Sequence, residues 1–141
     1  MNIYVINGPN INLLGTREPE IYGKDTLNSI TKTCNDKASK AGHSLHFMQS
    51  NYEGEIVEWI QDAIIQKVDV IIINAAAYTH TSVGIGDAIR SVNSPVIEVH
   101  ISNTYTREEF RHKSFLSAHV RGVILGFGLK SYDLAIESFL D

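Results

Sequence analysis

Between Asn7 and Gly23 the chain runs NGPNINLLGTREPEIYG, a stretch without helix or strand periodicity that concentrates three asparagines, an arginine and a tyrosine. A phenol is a weak base with an ordinary pKa near 10. To act as phenolate near neutral pH it must fall by roughly two to three pH units, about 3–4 kcal/mol of differential stabilisation. A neighbouring guanidinium supplies such stabilisation by favouring the anion. Arg17 and Tyr22 stand five residues apart across a loop that Pro19 bends, a spacing suited to an ionised base and its counter-charge. It also fits an exposed loop arginine and a packing tyrosine. Gly8, Pro9, Gly15, Pro19 and Gly23 shape the run as a loop. Segments this long and irregular are uncommon in small domains unless functional or disordered. Ile11, Leu13 and Leu14 argue for burial against disorder.

A second grouping closes an apolar strand pattern at Glu98-Val99-His100. Alternation along a strand puts Glu98 and His100 on one face. A carboxylate beside an imidazole orients the ring and favours its protonated form, as a proton donor requires. A hydrogen-bonded structural histidine would satisfy the same pattern. His80, within Thr79-His80-Thr81-Ser82, reads as a polar substrate contact or a helix-entry residue. Arg90, Arg107, Arg111 and Arg121 are candidates for a substrate carboxylate, whose geometry a guanidinium fork matches. Arg111, just past the loop that follows Glu98 and His100, is the best placed. Asp87 fits a functional group facing outward or a plain surface charge.

These side chains need a scaffold that gathers them. The 141 residues fit one domain, 1–141, with a sizeable core. Strands are expected at Ile3 to Ile6, Ser44 to Met48, Val68 to Asn74, Val96 to Val99 and Val120 to Leu125. Helices are expected over about Thr26 to Ala41, Glu53 to Lys67 (capped by Asn51), Ser82 to Val92 and Ser131 to Leu140. Thr106-Arg107-Glu108-Glu109 has capping-box spacing and predicts a short helical turn. The continuous apolar run Val70-Ile71-Ile72-Ile73 predicts a central parallel strand covered on both faces. Regular β-α alternation with five strands predicts an α/β fold, a parallel sheet in the doubly wound order 2-1-3-4-5 between two helical layers. Ligands bind beyond the carboxyl ends of such strands. Asn7, Asn10, Asn74, Tyr78, His80, Glu98, His100, Ser102 and Asn103 all fall there.

Composition and missing motifs narrow the chemistry. Net charge is −4 without a basic stripe, which disfavours nucleic acid as a partner. No apolar run approaches the roughly 20 residues that span a bilayer, and no signal peptide is expected at the start. Cys34 is the single cysteine, at a helical core spacing, and a cytoplasmic protein is expected. The six histidines show no zinc-type spacing. No G-x-G-x-x-G follows the first strand, and no P-loop or G-x-S-x-G elbow occurs. A flavodoxin-like binding or signalling module would need neither an Arg–Tyr loop nor a Glu-x-His strand end.

Taken together, several motifs resemble the type II 3-dehydroquinate dehydratases. They are Asn7 to Gly15 with Arg17-Glu18-Pro19 and Tyr22-Gly23, Gln49 to Glu55, Tyr78 to Val83, Glu98 to Asn103 with Arg107 to His112, and Gly122 to Gly128. The similarity covers essentially the whole chain and implies a small flavodoxin-like fold, a three-layer sandwich. It implies a lyase that dehydrates 3-dehydroquinate to 3-dehydroshikimate in the shikimate pathway, through an enolate. Tyr22 would take the proton alpha to the ketone, with Arg17 holding it as phenolate and helping to close a lid. His100 would protonate the leaving hydroxyl, oriented by Glu98. Asn10 and Asn74 would help place the groups that stabilise the enolate, one through a bound water. The Ile101 backbone and Ser102 would bind the substrate carboxylate, and His80 and Arg111 the ring hydroxyls. Asp87 would reach a neighbouring subunit's site in a dodecamer built of trimers. No metal, Schiff base or cofactor is implied. Two features depart from the family pattern. Ala75 stands where proline is usual, and Gly84 and Gly86 lie in a helix usually without glycine. They predict a less rigid Asn74 turn and a looser presentation of Asp87.

Overall fold

The computed structural model describes residues 1–16, 18–22 and 25–140, with Tyr22 described in its backbone only. Five parallel strands, β1 (Asn2–Asn7), β2 (Ser44–Gln49), β3 (Val70–Asn74), β4 (Val96–His100) and β5 (Gly122–Leu125), lie in the order β2-β1-β3-β4-β5. Five helices connect or flank them: α1 (Pro19–Tyr22), α2 (Leu27–Lys40), α3 (Glu53–Ile65), α4 (Val83–Arg90) and α5 (Lys130–Glu137).

Strand alternation divides the core into two layers. Ile3, Val5, Val70, Ile72, Ile97 and Val99 pack with Ile30 and Cys34 of α2 and with Tyr132, Ala135 and Ile136 of α5. Tyr4, Ile6, Ile71, Ile73 and Val96 pack with Ile56 and Ile60 of α3 and Ile85 and Ile89 of α4. β3 is buried at every position, so its unbroken apolar run reads correctly as a strand covered on both faces. Each fully buried aliphatic side chain contributes about 1.5–3 kcal/mol relative to exposure. Burial drives the Cys34 thiol up to about 12, which leaves it an inert core group.

The five expected strands and the four expected long helices form, with shifted ends. Thr26 caps α2 through a reciprocal bond pair with Ser29, and Ser82 caps α4 by accepting from the Ile85 N–H at 2.9 Å. Three local expectations are corrected. Asn51 does not cap α3; its Oδ1 accepts from the Asn10 N–H and from Gln49 Nε2, at 3.0 and 3.2 Å. Tyr78 donates to its carbonyl, so Asn51 ties three loops together. Thr106 starts no helix. It ends a 3₁₀ turn, Thr104–Thr106, because its hydroxyl donates backward to the Asn103 carbonyl, and a separate turn follows at Glu109–His112. Leu13 is 43% exposed, whereas Ile11 and Leu14 are buried as expected.

The glycine and alanine departures do not loosen the fold. A Cβ on Gly86 would stand 2.6 Å from the Phe115 carbonyl oxygen, so this glycine admits a close-packed segment within a regular helix. Ala75 has φ −73°, the angle a proline ring would impose. Its turn is tied by the Tyr78 N–H on the Ala75 carbonyl and the Ala76 N–H on Asn74 Oδ1.

Candidate active site

The strand order places the carboxyl ends of β1, β3 and β4 side by side. Gly8 allows the first turn to cross there: a Cβ would lie 2.3 Å from the Ala75 carbonyl oxygen, and the Gly8 N–H donates to the Asn74 carbonyl. Above these ends opens a cleft of about 650 Å³, mouth included. It is lined by Asn10, Asn74, His80, His100, Ile101, Ser102, Arg107 and Arg111, with Ile11 and Leu14 as its apolar wall.

Glu98 and His100 share the α4 side of β4, as alternation predicts. His100 Nε2 stands 2.6 Å from Glu98 Oε1 in a pair 7% and 1% exposed. A carboxylate only accepts, so Nε2 carries the proton and Nδ1 is the nitrogen left to exchange one. Burial works against the Glu98 anion, yet bonds from His100, Ser117 and Ser114 outweigh it and hold the carboxyl below its ordinary range. Ser114 donates to Oε1 at 3.0 Å and Ser117 to Oε2 at 2.6 Å.

His80 faces His100 across the cleft, rings stacked at 6.3 Å and 18°. Its Nδ1 donates to the Lys113 carbonyl at 2.7 Å. Burial lowers its pKa despite that bond, so the ring is neutral at pH 7 and presents Nε2 as an acceptor.

Asn74 is heavily engaged. Its Nδ2 donates to the Tyr132 hydroxyl at 2.9 Å, and that hydroxyl donates to Asn7 Oδ1 at 2.6 Å. Asn7 Nδ2 in turn donates to the Met48 carbonyl. One N–H and one lone pair remain on Asn74 for a ligand or water. Asn10 adopts φ 69°, where asparagine is favoured among residues with a side chain, which sets its amide at the cleft wall. Ser102 lines the cleft beside Arg107, whose Nη1 donates to the Ser102 hydroxyl at 3.3 Å. Arg111 reaches the same cleft while its Nε bonds Glu108.

Not every candidate meets there. Asp87 is exposed on α4 and pairs with Arg90 at 3.6 Å, outside the cleft. The Arg121 guanidinium lies over the Phe139 ring. Arg17 and the side chain of Tyr22 lie outside the described residues. Sequence reasoning passed over Ser114, Ser117 and Tyr132. Nothing in their spacing marks them, since their partners lie 16, 19 and 125 positions away. Among the described residues no group of three or more His, Cys, Asp or Glu is placed to hold a metal, and no helix is long and apolar enough to cross a membrane.

Comparison with known proteins agrees with this geometry. The model of the family described as dehydroquinase class II matches residues 1–140. A 3-dehydroquinate dehydratase of Cellvibrio japonicus is 54% identical over 136 residues, 96% of this chain and 92% of that protein. A Fusarium vanettenii protein named catabolic 3-dehydroquinase 1 is 53% identical over 136 residues, 96% and 94% of the two chains. The crystal structure of the type II dehydroquinase from Butyrivibrio crossotus matches with a TM-score of 0.97 at 45% identity, covering 98% of this chain and 96% of that one. Strand order, the Glu98–His100 pair at the end of β4 and similarity along nearly the whole length converge on one conclusion: the chain belongs to the class II dehydroquinases.

Proposed function

We propose that this chain, a single catalytic domain, dehydrates 3-dehydroquinate to 3-dehydroshikimate, the shikimate-pathway reaction for which its relatives are named. The buried Glu98–His100 pair opening onto the cleft carries this reading. Elimination of water beta to a ketone needs a base for the alpha proton, donors for the enolate oxygen and an acid for the departing hydroxyl. Tyr22 is the base and Arg17 its counter-charge. The electron pair of the broken C–H bond moves onto the ketone oxygen, where Asn10, Asn74 and a bound water supply donors. As the enolate collapses, the C–OH bond breaks and His100 delivers its Nδ1 proton, so the group leaves as water. Glu98, accepting from Nε2, holds the ring so that Nδ1 is turned to the departing group.

The lining of the cleft supports the remaining contacts. The Ile101 backbone and Ser102 hold the substrate carboxylate, next to the positive Arg107. His80, presenting a bare nitrogen, accepts from a ring hydroxyl, and Arg111 contacts another. Asp87, exposed and outside its own cleft, serves the site of a neighbouring subunit in a dodecamer of trimers acting in the cytoplasm. Side chains perform every proton transfer, without a cofactor.

The test follows the absorbance of the conjugated enone as 3-dehydroquinate is consumed, with sedimentation on the same sample. Folded protein without signal would end the dehydratase reading. Normal kcat in Tyr22→Phe would remove Tyr22 as the base. A stable monomer at micromolar concentration would dismiss the role of Asp87.

A further inference from the structure

Behind the imidazoles lies segment 113–117, irregular up to Ser117, where the 3₁₀ turn Ser117–His119 begins, and the reaction scheme leaves it unused. The Lys113 carbonyl accepts from His80 Nδ1. One residue on, the Ser114 hydroxyl accepts from the N–H groups of Leu116 and Ser117, at 3.0 and 3.1 Å. With its acceptor side so occupied, its own hydrogen points at Glu98 Oε1, 3.0 Å away. Ser117 Oγ covers the second carboxylate oxygen, Oε2, at 2.6 Å. The segment is fixed in turn. The Phe115 N–H donates to the Thr79 carbonyl at 2.9 Å, the Phe115 carbonyl fills the space that Gly86 leaves open, and Leu116 is fully buried against α3 and α4.

We propose that segment 113–117 positions both imidazoles of the cleft, with Ser114 and Ser117 as positioning residues that hold Glu98 against His100. Each serine acts through the carboxylate and touches no substrate. A carboxylate with both oxygens engaged has one orientation, which fixes the plane of His100 and the direction of its Nδ1 proton. The same two donors favour ionised Glu98, opposing its burial. The titratable and charged groups lining the space around this carboxylate are His100 on β4, His80 from the turn after β3, Tyr105 from turn Thr104–Thr106, and Arg111 and His112 from turn Glu109–His112. β5 presents apolar Val123 and Leu125. The segment therefore supplies the uncharged donors that keep Glu98 ionised. This inference rests on the dehydratase reading for its kinetics, not for its geometry.

Ser117→Ala is the cleaner probe, because Ser114 also caps two backbone N–H groups. Carbon-13 NMR titration of the Glu98 carboxyl, without substrate, should move its midpoint upward in Ser117→Ala and restore it in Ser117→Thr. Turnover of 3-dehydroquinate should lose kcat by roughly tenfold to a hundredfold, the scale of one hydrogen bond to a charged group. KM should change little, and the acid limb of the kcat profile should move to higher pH. An unchanged Glu98 midpoint, or kcat and acid limb both at wild-type values, overturns the proposal. Wild-type protein inert toward 3-dehydroquinate would defeat the dehydratase reading alone, and the NMR comparison would still decide this one. Should Ser117→Ala fail to fold, Ser117→Cys keeps the volume with a weaker donor and carries the same test.

Discussion

The end of β4 and the turn after β3 each deliver one histidine to the same cleft, yet the two regions treat the ring differently. His100 ends a buried strand and meets a carboxylate. His80 sits in a 3₁₀ turn and meets a backbone carbonyl. A carbonyl offsets a positive charge only in part, and at His80 burial outweighs it and lowers the pKa. The Glu98 carboxylate carries a full negative charge and fixes the His100 ring through Nε2. Stacked at 6.3 Å, two identical side chains thus meet different partners, and the proposed mechanism makes one an acceptor and the other an acid.

That division can be broken by substitution. Removing the acid, His100→Ala, should lower kcat by roughly 10²–10⁴-fold, the usual contribution of general acid–base catalysis. A loss in KM alone would make His100 a binding group. Glu98→Gln keeps a hydrogen-bond partner without the charge and should cost roughly tenfold to a hundredfold in kcat. Wild-type kcat there would erase the distinction between the two rings. For His80→Ala the loss should fall on KM, about tenfold, with a smaller change in kcat. Initial rates across substrate concentrations separate these cases.

Two stability measurements sharpen the contrast. Gly86→Ala forces a methyl against the Phe115 carbonyl and should destabilise by about 1–3 kcal/mol in denaturant unfolding. Since segment 113–117 backs both rings, activity should fall as well. The smallest effect concerns pH. The folded His80 has a lowered pKa, so the unfolded chain binds its proton more readily. The associated stability is fully present above the ordinary imidazole value and declines as pH falls below it. Between neutrality and about pH 5, wild type should therefore lose more stability than His80→Gln, as read by denaturant midpoints. Equal losses would mean that His80 is not held neutral.

How much of this could be read from the residues follows from the distances involved. Strand order and the Glu98–His100 face depend on local periodicity, and both were legible. The Asn51 link was not, because an asparagine ahead of a helix looks like a cap whether or not a remote loop claims it. Ser114 and Ser117 were invisible for the same reason: their meaning lies in Glu98, which only the folded chain brings near. The departures at Gly84 and Gly86 suggested a loose helix, whereas Gly86 serves a close approach that no one-dimensional pattern records.

The hydroxyl of Tyr132 bridges the ends of the first and third strands, partnering residues at positions 7 and 74. A ribosome that has released the first hundred residues has therefore made every cleft-lining amino acid up to the end of β4 without having made that bridge. Strand pairing alone sets the two asparagines in register, but their amides are tied together only once the closing helix emerges, so premature termination before position 132 should yield chains without that tie.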